Sequence, residues 1–261
     1  MHPPRRARES LAAADLVLCE DTRVSAKLLQ AHGLSPRLKP YHEHNAARIR
    51  PQIIEAIKDG EAVALISDAG TPLVSDPGYK LVQACQEAGL TVTALPGASA
   101  VLTALQLSGL PSDRFLFAGF PPPKSAARRT ALRGLAAVPA ALVFYESQSR
   151  LAAALADMAE VLGDRPAAVL RELTKRFEET RRGSLSALAA HYAEAGPPKG
   201  EIAVVVGPPG GEPAPSAEEL DRRLAAALAE GSLRDAVDRV AAESGLPRKQ
   251  VYARALELGK G

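Results

Sequence analysis

The sequence predicts an α/β protein: two α/β domains, an N-terminal one around a parallel sheet and a second around a mixed sheet, followed by a small helical module. Three observations lead there. Over the first part of the chain, short apolar runs alternate with amphipathic stretches, as in βαβ units that feed a doubly wound parallel sheet. Gly- and Pro-rich loops follow those runs, at the strand ends where open α/β sheets bind ligands. Residues 207–215, seven of nine of them Gly or Pro, then separate this body from a tail with helical periodicity only.

Taken in order, residues 7–14 read as a helix and 15–20 as an apolar strand. Residues 22–32 form an amphipathic helix, which Gly33 ends as a left-handed residue does just past a helix. An extended piece at 37–41 precedes a helix over 45–58. The apolar run 62–66 has the length and bounds of a buried parallel strand. It opens into Ser67-Asp68-Ala69-Gly70-Thr71-Pro72-Leu73-Val74-Ser75-Asp76-Pro77-Gly78, then a helix over 78–88. A further strand is expected at 91–95, broken by Pro96-Gly97, with a helix from Ala98 to Leu107.

The punctuation at 108–112 places a domain boundary there, giving domains 1–111 and 112–207. In the second, strands are expected at 115–119, 140–145, 166–171, 177–182 and 201–206, with helices at 125–136, 149–161 and 184–194. Tighter, hairpin-like connections around Arg165-Pro166 and 178–182 make its sheet mixed. After the linker 208–216, residues 217–261 carry apolar faces (Leu220, Leu224, Leu228; Leu233, Val237, Val240) and a Ser232/Asp235 capping pattern. A helix-turn-helix and a packing appendage both fit this module, since its eight basic residues are matched by eight acidic ones.

With 261 residues, 46% apolar and 24% charged, the chain has room for one large domain or two modest ones, with a tail to spare. No apolar run approaches the roughly 18 residues that span a bilayer, and the basic start lacks a signal peptide's apolar centre. A cytoplasmic chain with no membrane partner is the expectation. Cys19 and Cys85 each lie in an apolar segment and read as buried thiols, and His42-Glu43-His44 has no third ligand nearby, so no metal is expected. A phosphate-binding P-loop, a G-x-G-x-x-G turn and a G-x-S-x-G elbow are all missing from the sequence, leaving nucleotide hydrolysis, hydride transfer and serine hydrolysis without support.

Charge is unevenly spread. From Arg114 to Tyr145 the chain holds five basic residues and no acid, and Lys124, Arg128 and Arg129 follow the Pro-rich 121–123 loop. Such a cluster suits phosphate contacts. With aromatics at 4% and no Trp, broad base-stacking platforms are not expected.

Six motifs occur in order: Cys19-Glu20-Asp21-Thr22-Arg23, Tyr41-His42-Glu43-His44-Asn45, 67–78, Pro96-Gly97-Ala98-Ser99-Ala100, Phe144-Tyr145-Glu146-Ser147 and Arg171-Glu172-Leu173-Thr174-Lys175. Together they resemble the branch of the tetrapyrrole methylase superfamily that methylates a cytidine 2′-hydroxyl of 16S rRNA. The resemblance covers about residues 7–207, and the tail resembles that branch's C-terminal module. It implies S-adenosylmethionine bound in a cleft between two domains, 16S rRNA in the small subunit as substrate, and a homodimer. By position it assigns the cofactor to Ala69, Gly70, Thr71 and Val74, to Ser99 and Ala100, and to Tyr145 and Leu173 from the second domain. The branch normally begins with an extra strand and a Thr-Pro-Ile-Gly-Asn loop. That first strand is missing here, where only Met1-His2-Pro3-Pro4 precedes Arg5. The expectation is a start assigned too late, with the neighbouring strands left unpaired.

Methylating a ribose hydroxyl calls for a base to take its proton. Glu146 and Asp76, each in a motif at a strand end, are the candidates; Asp76 could instead cap the 78–88 helix. Lys124, Arg128 and Arg129 are the candidate RNA contacts. A methyltransferase of tetrapyrroles or other small molecules and an inactive RNA-binding protein remain as alternatives.

Overall fold

The structure is a computed structural model that describes residues 5–68, 70–210, 217–244, 246 and 248–258. The expectations at Met1–Pro4, at Ala69 and over residues 211–216 of the linker lie outside them. The chain divides into two compact units, one ending at Ala104 and the other beginning at Leu105.

In the first unit the order is α1 (Arg5–Ala13), β1 (Leu16–Cys19), α2 (Thr22–Ala31), β2 (Leu38–Pro40), α3 (Glu43–Lys58), β3 (Val63–Leu65), α4 (Tyr79–Glu87) and α5 (Ala100–Ser108), which carries the division. The strands pair in parallel in the order β2-β1-β3. Local chemistry starts the helices. Asp21 accepts a hydrogen bond from the Arg23 amide (2.8 Å) and caps α2, and its ion pair with Arg23 holds its carboxyl down at about 2. Asn45 ties the start of α3, accepting from the His42 amide and donating to the Pro40 carbonyl. Two of the six motifs thus shape helix starts. Leu16 and Leu18 of β1 pack with Ile49 and Ile53 of α3 and Leu81 and Cys85 of α4, pairs spaced four apart on one helical face. Cys19 and Cys85 are free, buried thiols whose pKa burial raises.

Two strand expectations need correction. The run at 62–66 gives a three-residue strand that is half-buried, because β3 pairs with β1 on one edge only. The segment 91–95 forms no strand. It pairs with no strand among the described residues, and Val92 is 44% exposed. A parallel strand has no hydrogen bonds of its own to make without a neighbour.

The second unit contains β4 (Phe115–Gly119), α6 (Ser125–Arg133), β5 (Ala141–Glu146), a 3-10 turn at Gln148–Arg150, α7 (Leu151–Leu162), β6 (Pro166–Arg171), β7 (Glu179–Ser184), α8 (Leu185–Ala195) and β8 (Ile202–Val206). Its sheet runs β4-β5-β8-β6-β7, with β4 and β5 parallel and every other pair antiparallel, so it is mixed as expected. Leu142, Phe144, Val204 and Val169 share one face and pack with Leu151, Leu155 and Met158 of α7 and Leu188 of α8. The tail forms α9 (Ala217–Glu230), α10 (Leu233–Ser244) and α11 (Arg248–Leu258) around a core of their own that includes Leu224, Val237 and Val251. The Asp235 amide donates to Ser232 Oγ at 3.2 Å, the expected cap of α10. Among the described residues no helix is long and apolar enough to cross a membrane.

Candidate functional site

Between β3 and α4 the backbone is unusual. φ is positive at Gly70 (88°), Leu73 (71°), Ser75 (62°) and Gly78 (135°). Holding Leu73 and Ser75 there costs about 1–3 kcal/mol each, strain that collects at functional loops. At Gly78 a Cβ would stand 2.6 Å from Leu65 Cδ2 and 2.9 Å from Leu73 Cδ1, so φ favours Gly and a side chain there would also have to displace the ends of both Leu side chains. The loop is tied to the second Gly/Pro turn of the same unit, because Thr71 Oγ1 donates to the Ala98 carbonyl at 2.7 Å. Next to it Ser99 Oγ accepts from the Leu102 amide (3.4 Å) at the start of α5. Gly70, Thr71, Ser99 and Ala100 are therefore brought side by side. Val74 and Leu73 stay 37% and 38% exposed, apolar side chains presented to solvent by the turn. Backbone polar groups next to exposed apolar side chains are what an adenosyl ligand needs, and the residues present fit S-adenosylmethionine in that respect.

Asp76 lies in this loop. Burial pushes its carboxyl up, against a hydrogen bond from Ser67 that lowers it and with the charge of Asp68 raising it further. Its Oδ2 is buried with no hydrogen-bond partner among the described residues. It does not cap α4, whose N-cap is Gly78 with no side-chain bond. Asp68 and Ser25, which the sequence analysis did not single out, belong to the same group: Ser25 Oγ donates to Asp68 Oδ1 at 3.3 Å.

The second unit has a matching feature. β5 and β6 both run antiparallel to β8, so their C-terminal ends point the same way. Tyr145 and Glu146 end β5, and Arg171 to Lys175 follow the end of β6. There Glu172 (φ 50°) and Thr174 (φ 63°) flank the half-buried Leu173. The positive-φ residues other than Gly among the described residues thus fall in two of the six motifs. Glu172 also anchors its turn, accepting from the Glu201 amide (2.9 Å) and from Lys175 Nζ (3.0 Å). Glu146 is 3% exposed. Its Oε1 takes the Ser147 amide (2.7 Å) and an ion pair with Arg150 (2.7 Å), and its Oε2 is buried without a partner among the described residues. One oxygen of Glu146 therefore does structural duty at the turn into α7.

The cation cluster needs a correction. Arg128 is 3% exposed: it pairs with Asp157 Oδ2 (2.6 Å) and donates to the carbonyls of Pro122 and Pro123. It closes the Pro-rich loop onto α7 and is not free for a phosphate. Arg129 is half-exposed and pairs with Asp157 (2.7 Å) and Glu160 (2.6 Å). The stretch lacked acids in sequence, but α7 supplies them in space. Lys124 and Arg133 are exposed and unpaired with any carboxylate among the described residues. Also among the described residues, no group of three or more His, Cys, Asp or Glu is placed to hold a metal.

Residues 4–189 match the tetrapyrrole (corrin/porphyrin) methylases, and residues 214–259 match the RsmI C-terminal HTH domain. The chain belongs to the tetrapyrrole methylase family and is an S-adenosylmethionine-dependent methyltransferase. Within it, the chain is 54% identical over 254 residues to ribosomal RNA small subunit methyltransferase I of Mesorhizobium japonicum, covering 97% of this chain and 86% of that one. It is 43% identical to the protein of the same name from Escherichia coli O157:H7, covering 97% and 89%. Among solved structures, uroporphyrin-III C-methyltransferase from Thermus thermophilus complexed with S-adenosylhomocysteine aligns at a TM-score of 0.52 and 20% identity, over 77% of this chain and 89% of that one. Diphthine synthase aligns at 0.59 and 16%, over 78% and 83%, and like the former shares the fold.

Proposed function

We propose that this chain methylates the 2′-hydroxyl of a cytidine in the decoding region of 16S rRNA, acting in the cytoplasm as a homodimer. The relatives' names support the rRNA substrate. The observation that carries the site is that the positive-φ residues Leu73 and Ser75 flank Val74, and Glu172 and Thr174 flank Leu173, two positions that the motifs assign to the cofactor. Gly70, Thr71, Val74, Ser99 and Ala100 would hold S-adenosylmethionine; the resemblance adds Ala69, Tyr145 and Leu173 to the cofactor residues. Bound there, that group supplies an electrophilic methyl on a sulfonium.

Of the two candidate bases, Asp76 suits the task better. Its carboxyl is raised, no cation is paired with it among the described residues, and its Oδ2 has no partner there, so it can accept the substrate hydroxyl's proton. Glu146 also keeps Oε2 unpartnered among the described residues, but its other oxygen is ion-paired with Arg150, and the residue serves to set the turn beside Tyr145.

A methyl-transfer assay on small ribosomal subunits, with a porphyrin precursor as the competing substrate, tests the substrate class; transfer to the precursor alone would reject the reading. Asp76→Asn tests the base. A carboxyl raised in the folded state binds its proton more tightly there than when unfolded. Its ionisation therefore costs stability as pH rises above the ordinary carboxylate range of about 4. The variant is expected to be as stable as wild type or more so at neutral pH, while kcat falls about 10²- to 10⁴-fold. A variant with wild-type kcat would remove Asp76 from the mechanism.

A further inference from the structure

The chain has five Phe, five Tyr and no Trp, yet three of these rings stand in one row in the second unit. Phe117 of β4 meets Tyr145 of β5 edge-on at 4.8 Å between centroids, and Phe120 meets the same Tyr145 at 5.5 Å. A bulge creates the outer member of the row. Phe117 pairs with Val143 but Gly119 with Phe144, so β4 carries one extra residue, and Gly119 takes φ 66°. The chain turns out of the sheet at that point, and Phe120 is left 56% exposed. Such exposure is costly for a Phe whose inner edge is already packed, since the rest of the ring could have joined the core. The Pro121–Pro123 run stiffens the chain beyond the ring. It delivers Lys124, exposed and unpaired with any carboxylate among the described residues, to the start of α6. A groove of about 490 Å³ continues along α6, lined by Ser125, Arg129, Thr130 and Arg133.

An exposed aromatic face fixed from behind, followed within four residues by a free cation, is the pairing that binds unstacked nucleotides: the ring takes the base and the cation the phosphate. We propose that Phe120 is a stacking platform for an unpaired base of the RNA substrate and that Lys124 holds the adjoining phosphate, an inference that rests on the rRNA reading of the chain. The platform adjoins Tyr145, which that reading gives to the cofactor. The base it holds would therefore lie close to the target nucleotide. Low aromatic content made broad stacking surfaces unexpected, and the structure concentrates the rings in one place instead.

Two variants test this on the full chain. Phe120→Ala should weaken binding of an unpaired oligoribonucleotide about 5- to 100-fold by fluorescence anisotropy and raise KM for RNA with little change in kcat. Affinity for S-adenosylmethionine by calorimetry should stay at the wild-type value. Phe120→Trp should retain RNA affinity. Because the chain has no other Trp, its emission reports on the platform directly and should be quenched when RNA binds. Wild-type RNA affinity in Phe120→Ala would overturn the inference, as would unquenched emission at saturating RNA or equal losses in both variants. An altered oligomeric state in Phe120→Ala with unchanged RNA affinity would assign the ring to a copy interface and overturn it too. A wild-type chain that methylates no small-subunit RNA overturns the functional reading along with it. Active wild type with an unaffected Phe120→Ala overturns the platform alone.

Discussion

The two sheets grow from similar apolar runs and end in different states. In the five-stranded sheet β8 is buried along all of Ile202–Val206, with a partner strand on each edge. In the three-stranded sheet β1 is buried throughout, while β3, of comparable apolarity, is half-buried and paired on one edge. Apolar composition makes a strand possible, but neighbours on both sides decide how much of it leaves water. The less supported strand carries a strained loop, with Leu73, Ser75 and Asp76 just beyond it. The well-supported sheet places its own strained turn, at Glu172 and Thr174, beyond β6, where Arg171 is braced by Glu179. Strain and an under-satisfied carboxylate persist only where surrounding structure holds them. In the first unit the bracing comes from the Thr71–Ala98 bond and the packing around Gly78, since β3 itself supplies little.

The contrast can be broken most forcefully in the larger core. Phe144→Ala should cost about 3–5 kcal/mol, whereas Leu65→Ala in half-buried β3 should cost about 1 kcal/mol; urea unfolding of each variant compares them, and equal losses would erase the distinction between the sheets. Asp157→Ala should cost a similar 3–5 kcal/mol, because it strands the buried Arg128 guanidinium. Glu160→Ala, at an exposed pair, should change stability by no more than about 1 kcal/mol. Burial works to raise the Asp157 carboxyl, but hydrogen bonds from Arg129, Ser125 and Arg128 outweigh it and hold it below the usual range. Its contribution is therefore complete above about pH 4 and is lost as pH falls through the lowered value. The acid limb of a thermal-unfolding series should flatten in Asp157→Ala.

A smaller effect is expected at Gly78. An alanine there takes on both a forbidden φ and contacts under 3 Å with Leu65 and Leu73, for about 1–3 kcal/mol. If the loop holds the cofactor, calorimetry should show S-adenosylmethionine affinity falling more than stability does. The mildest change is Lys124→Ala, which should weaken RNA binding modestly and lower the salt slope of log K by about 0.7 for a single-stranded ligand. An unchanged slope would take Lys124 out of contact with phosphate.

Much of the fold follows from local chemistry that the sequence displays. Asp21 and Asn45 cap, Gly33 stops a helix, and the spacing of Leu81 and Cys85 faces one side of α4 inward. These depend on residues a few positions apart; the Gly33 stop and the face of the 78–88 helix were legible from the sequence alone, while the caps at Asp21 and Asn45 emerged with the structure. The loop at 67–78 was legible from its Gly and Pro residues for the same reason, whereas 171–175 stood out only through the family resemblance. The tertiary structure decided what depends on distant partners. Whether 91–95 becomes a strand depends on a neighbour, and it has none among the described residues. Arg128 became structural and Lys124 stayed free because Asp157 and Glu160 arrive from α7, some thirty positions along the chain. Asp76 separated from Glu146 by the company each carboxylate keeps. Phe120 became a surface through one extra residue in β4, whose effect exists only against the register of β5. Charge, burial and aromatic exposure are properties of the assembled neighbourhood, and a one-dimensional pattern records only the near half of it.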